Sequence, residues 1–377
     1  MKTANRISGL PKYIGGKPID ELQRELGIDK PIKLASNENP NGPSPKSLEA
    51  LSQSIHDVAS YPDGDSYYLK RKICDKENLL SNQIIIGNGS NEILELISHA
   101  FIEKDDEVIM GEYCFIVYPI VATLSEAKII RSQMPNMTHD IQNIIDLVTN
   151  NTKVIFIANP NNPTGTKVPK ASIYNLLDSI SSNILVVVDE AYCEYLAENQ
   201  RMEASKDLGK WKNLVIVKTF SKIYGLAGLR IGFAMGDNAV IDKIQKPREP
   251  FNVNSLAQSA AVAAMDDKDH LEKSFQLNNS GMLFMKTEIA KMGLKIYPSH
   301  ANFILVDFGC AARNIYEELL KRGIIVRPLE NYNLPNCLRI TIGTQDENKR
   351  FVFGLKEVLG VLRWKFLFMG LDILGDH

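Results

Sequence analysis

No two cysteines in this chain have the spacing of a metal site or of a Cys-x-x-Cys redox motif. The five present (Cys74, Cys114, Cys193, Cys310, Cys337) are scattered and odd in number. That pattern argues against a disulfide framework and for free thiols in a reducing, cytoplasmic setting. The six histidines form no His-x-x-x-His or His-Glu-x-x-His set, so no metal centre is expected. Neither charge sign dominates: 43 basic against 45 acidic side chains leave a net charge of −2. Such a surface has no general pull toward nucleic acid or an anionic membrane. The N-terminus is polar and lacks the apolar core of a signal peptide. Val361 to Gly375 is rich in Leu, Phe and Met but is broken by Arg363, Lys365 and Asp372. It is shorter than a bilayer-spanning helix requires, so a packed terminal helix or a loosely ordered end is expected there.

What is present is the composition of a globular protein, 44% hydrophobic and 23% charged. A chain of 377 residues exceeds what one core usually serves, so two domains are expected. Residues 1–32 carry Gly9, Pro11, Gly15, Gly16 and Pro18 and read as an arm, with a short helix over Ile19 to Leu26. Helices are expected over Pro45 to Ile55 and Tyr67 to Glu77. Strand-like apolar runs then alternate with helical patterns: Ile84 to Ile86, Glu107 to Met110, Ala127 to Ile130, Val154 to Ala158, Ile184 to Val188, Leu214 to Val217 and Ile231 to Met235. This rhythm predicts an α/β fold with a mostly parallel sheet, in a large domain over residues 33–261. The rhythm stops around Pro247 to Asn254. A long helical stretch, Ser255 to Lys291, leads into a smaller α+β domain over 262–360, with an atypical tail at 361–377.

The most informative stretch runs from Val217 to Arg230: V-K-T-F-S-K-I-Y-G-L-A-G-L-R. A lysine just past a buried strand is poorly hydrated, so its amine gives up its proton more easily and can attack a carbonyl. Thr219, Ser221 and Arg230 are groups suited to a phosphate dianion. A nucleophilic amine beside a phosphate site suggests pyridoxal phosphate held as a Schiff base on Lys222. A loop with a surface lysine would read much the same in isolation.

In parallel α/β sheets ligands bind beyond the carboxyl ends of the strands. Three consecutive strands here end in Asn159-Pro160-Asn161-Asn162, in Asp189-Glu190-Ala191-Tyr192 and in the lysine stretch. Asp189 at a buried strand end needs a partner, and a protonated pyridine nitrogen would supply one; a helix N-cap is the plain alternative. Asn162 and Tyr192 could hydrogen-bond a phenolic oxygen, although Asn162 also suits an Asn-Pro turn. The strand Ile84 to Ile86, the loop Gly87-Asn88-Gly89-Ser90-Asn91 and a following helix make an anion site. Glu92 replaces the third glycine of a dinucleotide fingerprint, which argues against a Rossmann site. Tyr113, after the Glu107 to Met110 strand, could stack on a planar group or pack in the core. Arg327 and Arg339 lie in or beside strands and could bind carboxylate or phosphate, or form surface salt bridges.

With these residues collected, the chain resembles the fold type I, class II family of pyridoxal-phosphate-dependent aminotransferases, and within it the branch acting on histidinol phosphate. The resemblance runs from Leu10 to about Leu359, most specifically over Lys33 to Pro45, Gly87 to Leu96, Asn159 to Gly165, Asp189 to Tyr192, Thr219 to Gly232, Asn302 to Asp307 and Leu338 to Gly343. It implies Lys222 as the Schiff-base lysine and proton carrier. It implies Asp189 on the pyridine nitrogen, Tyr192 and Asn162 on the phenolic oxygen, and Tyr113 stacked on the ring. Gly89, Ser90, Asn91, Ser221 and Arg230, with Thr219 nearby, would hold the phosphate. Tyr61 would reach that phosphate from the other subunit of a homodimer with shared active sites. Tyr13, Asn37, Arg327 and Arg339 would grip the phosphate of histidinol phosphate or the carboxylate of L-glutamate. The chain departs from the family beyond residue 360, and no function is attached to that tail.

Two rivals use the same coenzyme: an aromatic amino-acid aminotransferase and a threonine-phosphate decarboxylase. A transcriptional regulator with an aminotransferase-like sensor would carry a basic DNA-binding domain first, and this chain reaches its loop motifs by about residue 35.

Overall fold

The computed structural model describes the chain except residues 1, 2, 8, 9, 11, 13, 14, 16 and 370–377, with 361–369 described by backbone alone. Tyr13 and the end of the tail therefore lie outside the described residues. In chain order the strands are β1 (Ile32–Lys33), β2 (Ile84–Gly87), β3 (Glu107–Gly111), β4 (Lys128–Ser132), β5 (Thr152–Ala158), β6 (Leu185–Asp189) and β7 (Leu214–Thr219). There follow β8 (Gly232–Gly236), β9 (Lys295–Ile296), β10 (Phe303–Asp307), β11 (Ile324–Ile325), β12 (Arg327–Pro328) and β13 (Cys337–Thr341).

The large sheet has the order β2-β8-β7-β6-β5-β3-β4. β4, β3, β5, β6 and β7 run parallel, and β8 runs antiparallel to both of its neighbours. Strands β6 and β7 are buried along their whole length, as expected of a parallel sheet covered on both faces. Side chains alternate between the two faces. Val186, Val188, Leu214 and Ile216 enter one core; Leu185, Val187, Val215 and Val217 enter the other. Each fully buried aliphatic side chain of this kind stabilises the fold by about 1.5–3 kcal/mol. The same alternation fixes the strand ends. Asp189 and Thr219 continue the Val187 and Val217 face, whereas Glu190 and Lys218 fall on the opposite one. The mostly parallel large sheet anticipated from the rhythm of apolar runs is therefore present.

The smaller unit carries an antiparallel sheet ordered β12-β13-β10-β9. The helices Lys268–Ala290, Arg313–Lys321 and Gln345–Met369 pack against it around Met285, Ile304, Leu338 and Phe351. Two expectations shift here. The expected helical stretch from Ser255 to Lys291 is two helices, Ser255–Met265 and Lys268–Ala290. Asp267 ends the junction by accepting a hydrogen bond from the His270 N–H. Ala257, Ala260, Ala261 and Ala264 of the first helix lie in the large core, so we propose a boundary at 266–267 rather than 262. Strand β1, expected in the large domain, pairs in parallel with β11 of the smaller one, and Leu34 joins the smaller core. Among the described residues no helix is long and apolar enough to cross a membrane, and no group of three or more His, Cys, Asp and Glu side chains could hold a metal ion.

Candidate active site

A cavity of about 240 Å³ opens at the carboxyl ends of β5, β6 and β7. This is where open α/β sheets bind ligands. Asn162, Asp189, Tyr192, Thr219, Ser221 and Lys222 all line it. So do Ser90, Asn91 and Arg230.

Lys222 is half-buried, with Nζ 3.4 Å from the Ser36 carbonyl and 5.5 Å from the centre of the Tyr192 ring. Burial lowers its pKa from 10.5 to about 8; the charge of Arg339 pushes the same way, and Glu38 opposes. A substantial fraction of the amine is thus neutral near physiological pH, which nucleophilic attack requires.

Asp189 is buried in the lining of the same cavity. Its Oδ2 accepts from the Tyr118 hydroxyl at 2.8 Å and its Oδ1 from the Ala191 N–H at 3.1 Å. Burial raises its pKa, and those two hydrogen bonds hold the rise back. Among the described residues it forms no ion pair, so a cation entering the cavity would meet a buried, oriented carboxylate.

The anion end is built from three segments. Gly89 starts the helix Gly89–Phe101 with φ at +79°. A Cβ there would lie 2.4 Å from Arg230 Nη2, so only glycine lets the guanidinium lie against the helix N-terminus. Arg230 Nη1 donates to Ser221 Oγ at 3.3 Å, and Thr219 Oγ1 donates to the same oxygen at 3.0 Å. Hydroxyls, free helix N–H groups and a guanidinium converge on one spot, the chemistry of a phosphate site. Glu92, which departs from the dinucleotide fingerprint, accepts from the Asn88 N–H and from Asn252 Nδ2, tying the loop down.

Not every expected residue faces the cavity. Tyr113 packs against the apolar cluster that holds Tyr297 and Leu305 and is not among the residues lining the cavity. Phe115 lines the wall instead, edge-on to Tyr118 at 5.8 Å. Tyr118 in turn stacks on Phe156 at 4.8 Å. Asn37 is buried behind the wall, where its Nδ2 donates to the Tyr192 hydroxyl at 2.9 Å and its Oδ1 accepts from Thr341 Oγ1 at 3.1 Å. Tyr61 is 83% exposed, stacked on Phe251 at 4.8 Å, and does not line this cavity. Arg339 Nη1 donates to Asn162 Oδ1 at 2.6 Å and its Nη2 to the Ala35 carbonyl at 2.7 Å. Arg327 is buried directly across β12–β13 from Arg339. Two buried arginines at paired positions on adjacent strands concentrate positive charge there, which suits an anion. On the other face of the sheet, Lys218 pairs with Glu77 at 3.1 Å and lies 3.8 Å from Glu190.

The family model for aminotransferase class I and II matches residues 29–355. The histidinol-phosphate aminotransferase 1 of Idiomarina loihiensis is 43% identical over 354 residues, covering 94% of this chain and 96% of its own. The histidinol-phosphate aminotransferase of Caldicellulosiruptor saccharolyticus is 44% identical over 353 residues, covering 94% and 99%. Among solved structures, histidinol-phosphate aminotransferase from Sinorhizobium meliloti, in complex with pyridoxal-5′-phosphate, superposes with a TM-score of 0.88 at 26% identity, covering 96% of this chain and 98% of that one.

Proposed function

This chain belongs to the aminotransferase class I and II family, and we propose that it moves an amino group between L-glutamate and imidazole acetol phosphate, giving 2-oxoglutarate and L-histidinol phosphate, with pyridoxal phosphate as coenzyme. The observation that carries the coenzyme assignment is the presence in one cavity of an amine whose proton is loosened and an oriented buried carboxylate that forms no ion pair among the described residues; the substrates follow from the likeness to histidinol-phosphate aminotransferases.

The residues fit the coenzyme. Gly89, Ser90, Asn91, Thr219, Ser221 and Arg230 would hold its phosphate, and the space that a Cβ on Gly89 would fill is part of that cradle. Asp189 would meet the pyridine nitrogen, and Asn162 and Tyr192 the phenolic oxygen. Phe115 would flank the ring where Tyr113 was expected. When bound, the coenzyme supplies the electron sink that lets an amino acid give up its α-proton and its nitrogen.

The chain's own work is to bind, orient and move one proton. Lys222 Nζ would carry the proton that leaves the substrate α-carbon, a role suited to an amine with a pKa near 8. Asn37 holds the Tyr192 hydroxyl in place, and the pKa of that hydroxyl is pushed up to about 12 by burial, so it stays protonated and donates. Arg327 and Arg339 would receive the substrate phosphate, or the carboxylate of glutamate in the other half-reaction. Both substrates would use the same guanidinium pair in turn.

A homodimer belongs to this reading. Tyr61, Tyr67, Tyr68, Val58 and Phe251 are exposed apolar side chains on neighbouring segments. Such a surface favours a partner, and a second copy would bring its Tyr61 toward the phosphate end. Turnover of histidinol phosphate and of phenylalanine, each with 2-oxoglutarate, tests the substrate assignment. A clear preference for histidinol phosphate is expected, and a preference for phenylalanine would overturn it. Release of carbon dioxide from threonine phosphate would do the same.

A further inference from the structure

Of the charged residues lining the cavity, Asp189, Lys222 and Arg230 face the coenzyme in the proposed reaction, and Glu38 is left without a role. One part of the substrate is also left without a partner, the imidazole ring. Glu38 lines the cavity with Lys222, and its charge acts on that amine. One carboxylate oxygen, Oε1, accepts from Lys33 Nζ at 2.7 Å. Among the described residues no hydrogen bond is made to the other.

The backbone carrying Glu38 is fixed. Asn37 adopts a left-handed conformation, φ 57°, so it turns inward to Tyr192 and Thr341 while Glu38 turns to the cavity. Asn302 Nδ2 donates to the Asn37 carbonyl at 3.0 Å and approaches the Glu38 carbonyl at 3.4 Å. Upstream, β1 pairs with β11, two residues before Arg327, and the Ala35 carbonyl accepts from Arg339. Glu38 and both arginines therefore stand on one hydrogen-bonded frame around Lys222. A substrate with phosphate at one end and an N–H-bearing ring at the other needs those two recognition elements flanking the amine.

Resting on the histidinol phosphate reading, we infer that Glu38 is the residue that reads the imidazole ring, accepting its ring N–H and distinguishing it from a phenyl ring. Lys33 neutralises and orients the carboxylate, which keeps the cavity tolerant of glutamate in the other half-reaction. A phenyl ring offers no donor and leaves the carboxylate with only Lys33 and water, so discrimination comes from one charged hydrogen bond.

The test compares Glu38→Ala with the unmodified protein on two amines, histidinol phosphate and phenylalaninol phosphate, which keeps the phosphate and replaces only the ring. Both kcat/KM and the dissociation constant from pyridoxamine-phosphate-loaded protein, which cannot transaminate an amine, are measured. Glu38→Ala is expected to lower the preference for histidinol phosphate over phenylalaninol phosphate by about tenfold or more in both quantities, consistent with loss of one charged hydrogen bond; any effect of the lost charge on Lys222 falls on both substrates alike and cancels in the ratio. Retained binding and turnover of the phenyl substrate also certify the fold of the variant. An equal loss on both substrates would overturn the inference alone, because Glu38 would then serve only Lys222. Failure of the unmodified protein to use histidinol phosphate would overturn the substrate reading, and the inference with it.

Discussion

The Tyr118 hydroxyl donates a 2.8 Å hydrogen bond to Asp189 Oδ2. Tyr118 is fully buried and stacked on Phe156, so its ring cannot swing away. The bond holds the Asp189 carboxyl down against the upward push of burial. Tyr118→Phe keeps the ring and removes the bond. Weaker affinity for pyridoxal phosphate, by about tenfold, is expected from loss of such an orienting partner. Equilibrium binding to the coenzyme-free protein measures it, and unchanged affinity would show that Asp189 needs no second donor.

Gly89 and Arg230 form a pair that admits no methyl group. A Cβ at Gly89 would meet Arg230 Nη2 at 2.4 Å, on a residue whose φ is +79°. Gly89→Ala is expected to displace the guanidinium and to lower affinity for pyridoxal phosphate and for inorganic phosphate together. A loss of thermal stability on the order of 1 kcal/mol accompanies it, from the left-handed backbone. Retained phosphate affinity in Gly89→Ala would remove Arg230 from the anion site.

The depressed pKa of Lys222 carries two signed expectations. The coenzyme-free protein should capture pyridoxal phosphate faster as pH rises from 7, levelling off above about 8, where the amine is neutral. The folded protein also binds fewer protons at this site than the unfolded chain between about 8 and the ordinary value of 10.5. The contribution of this site to stability therefore rises with pH across that window, and below it the protonated amine is a constant burden. Lys222→Met should accordingly stabilise the coenzyme-free protein at pH 7 by roughly 1–3 kcal/mol, after allowance for partial solvent access. A capture rate flat from pH 7 to 9, or a destabilised Lys222→Met protein, would contradict this.

Tyr61 is 83% exposed on a single chain. Sedimentation should find a dimer, and mixing Tyr61→Ala chains with Lys222→Ala chains should separate the roles of the two copies. A mixed dimer then holds one site with both defects and one with neither, so activity partly returns on mixing. No recovery from a confirmed mixed dimer would mean that Tyr61 acts within its own chain.

Much of the site was legible because strand ends are punctuated. The runs closing in Asn162, Asp189 and Lys222 each change from apolar to polar at the edge of the sheet, and the alternation of faces already separates Asp189 from Glu190. Tyr118 was not legible, because a tyrosine among apolar residues of a short helix reads as core until a carboxylate is found against it. Choosing between Tyr113 and Phe115 depended on which way the chain turns after β3, which spacing does not encode. The inward turn of Asn37 needed its left-handed backbone. The break at 266–267 was hidden by residues compatible with a continuing helix, and only the Asp267 cap marks it. The pairing of β1 with β11 joins segments almost 300 residues apart, beyond the reach of local pattern.

The central claim is that one amine, that of Lys222, takes the coenzyme. Borohydride reduction of the protein loaded with pyridoxal phosphate, followed by peptide mass spectrometry, tests it directly. The expected result is a reduced phosphopyridoxyl adduct on Lys222 and none in Lys222→Ala. An adduct on another lysine, or no adduct in fully loaded protein, would contradict the account.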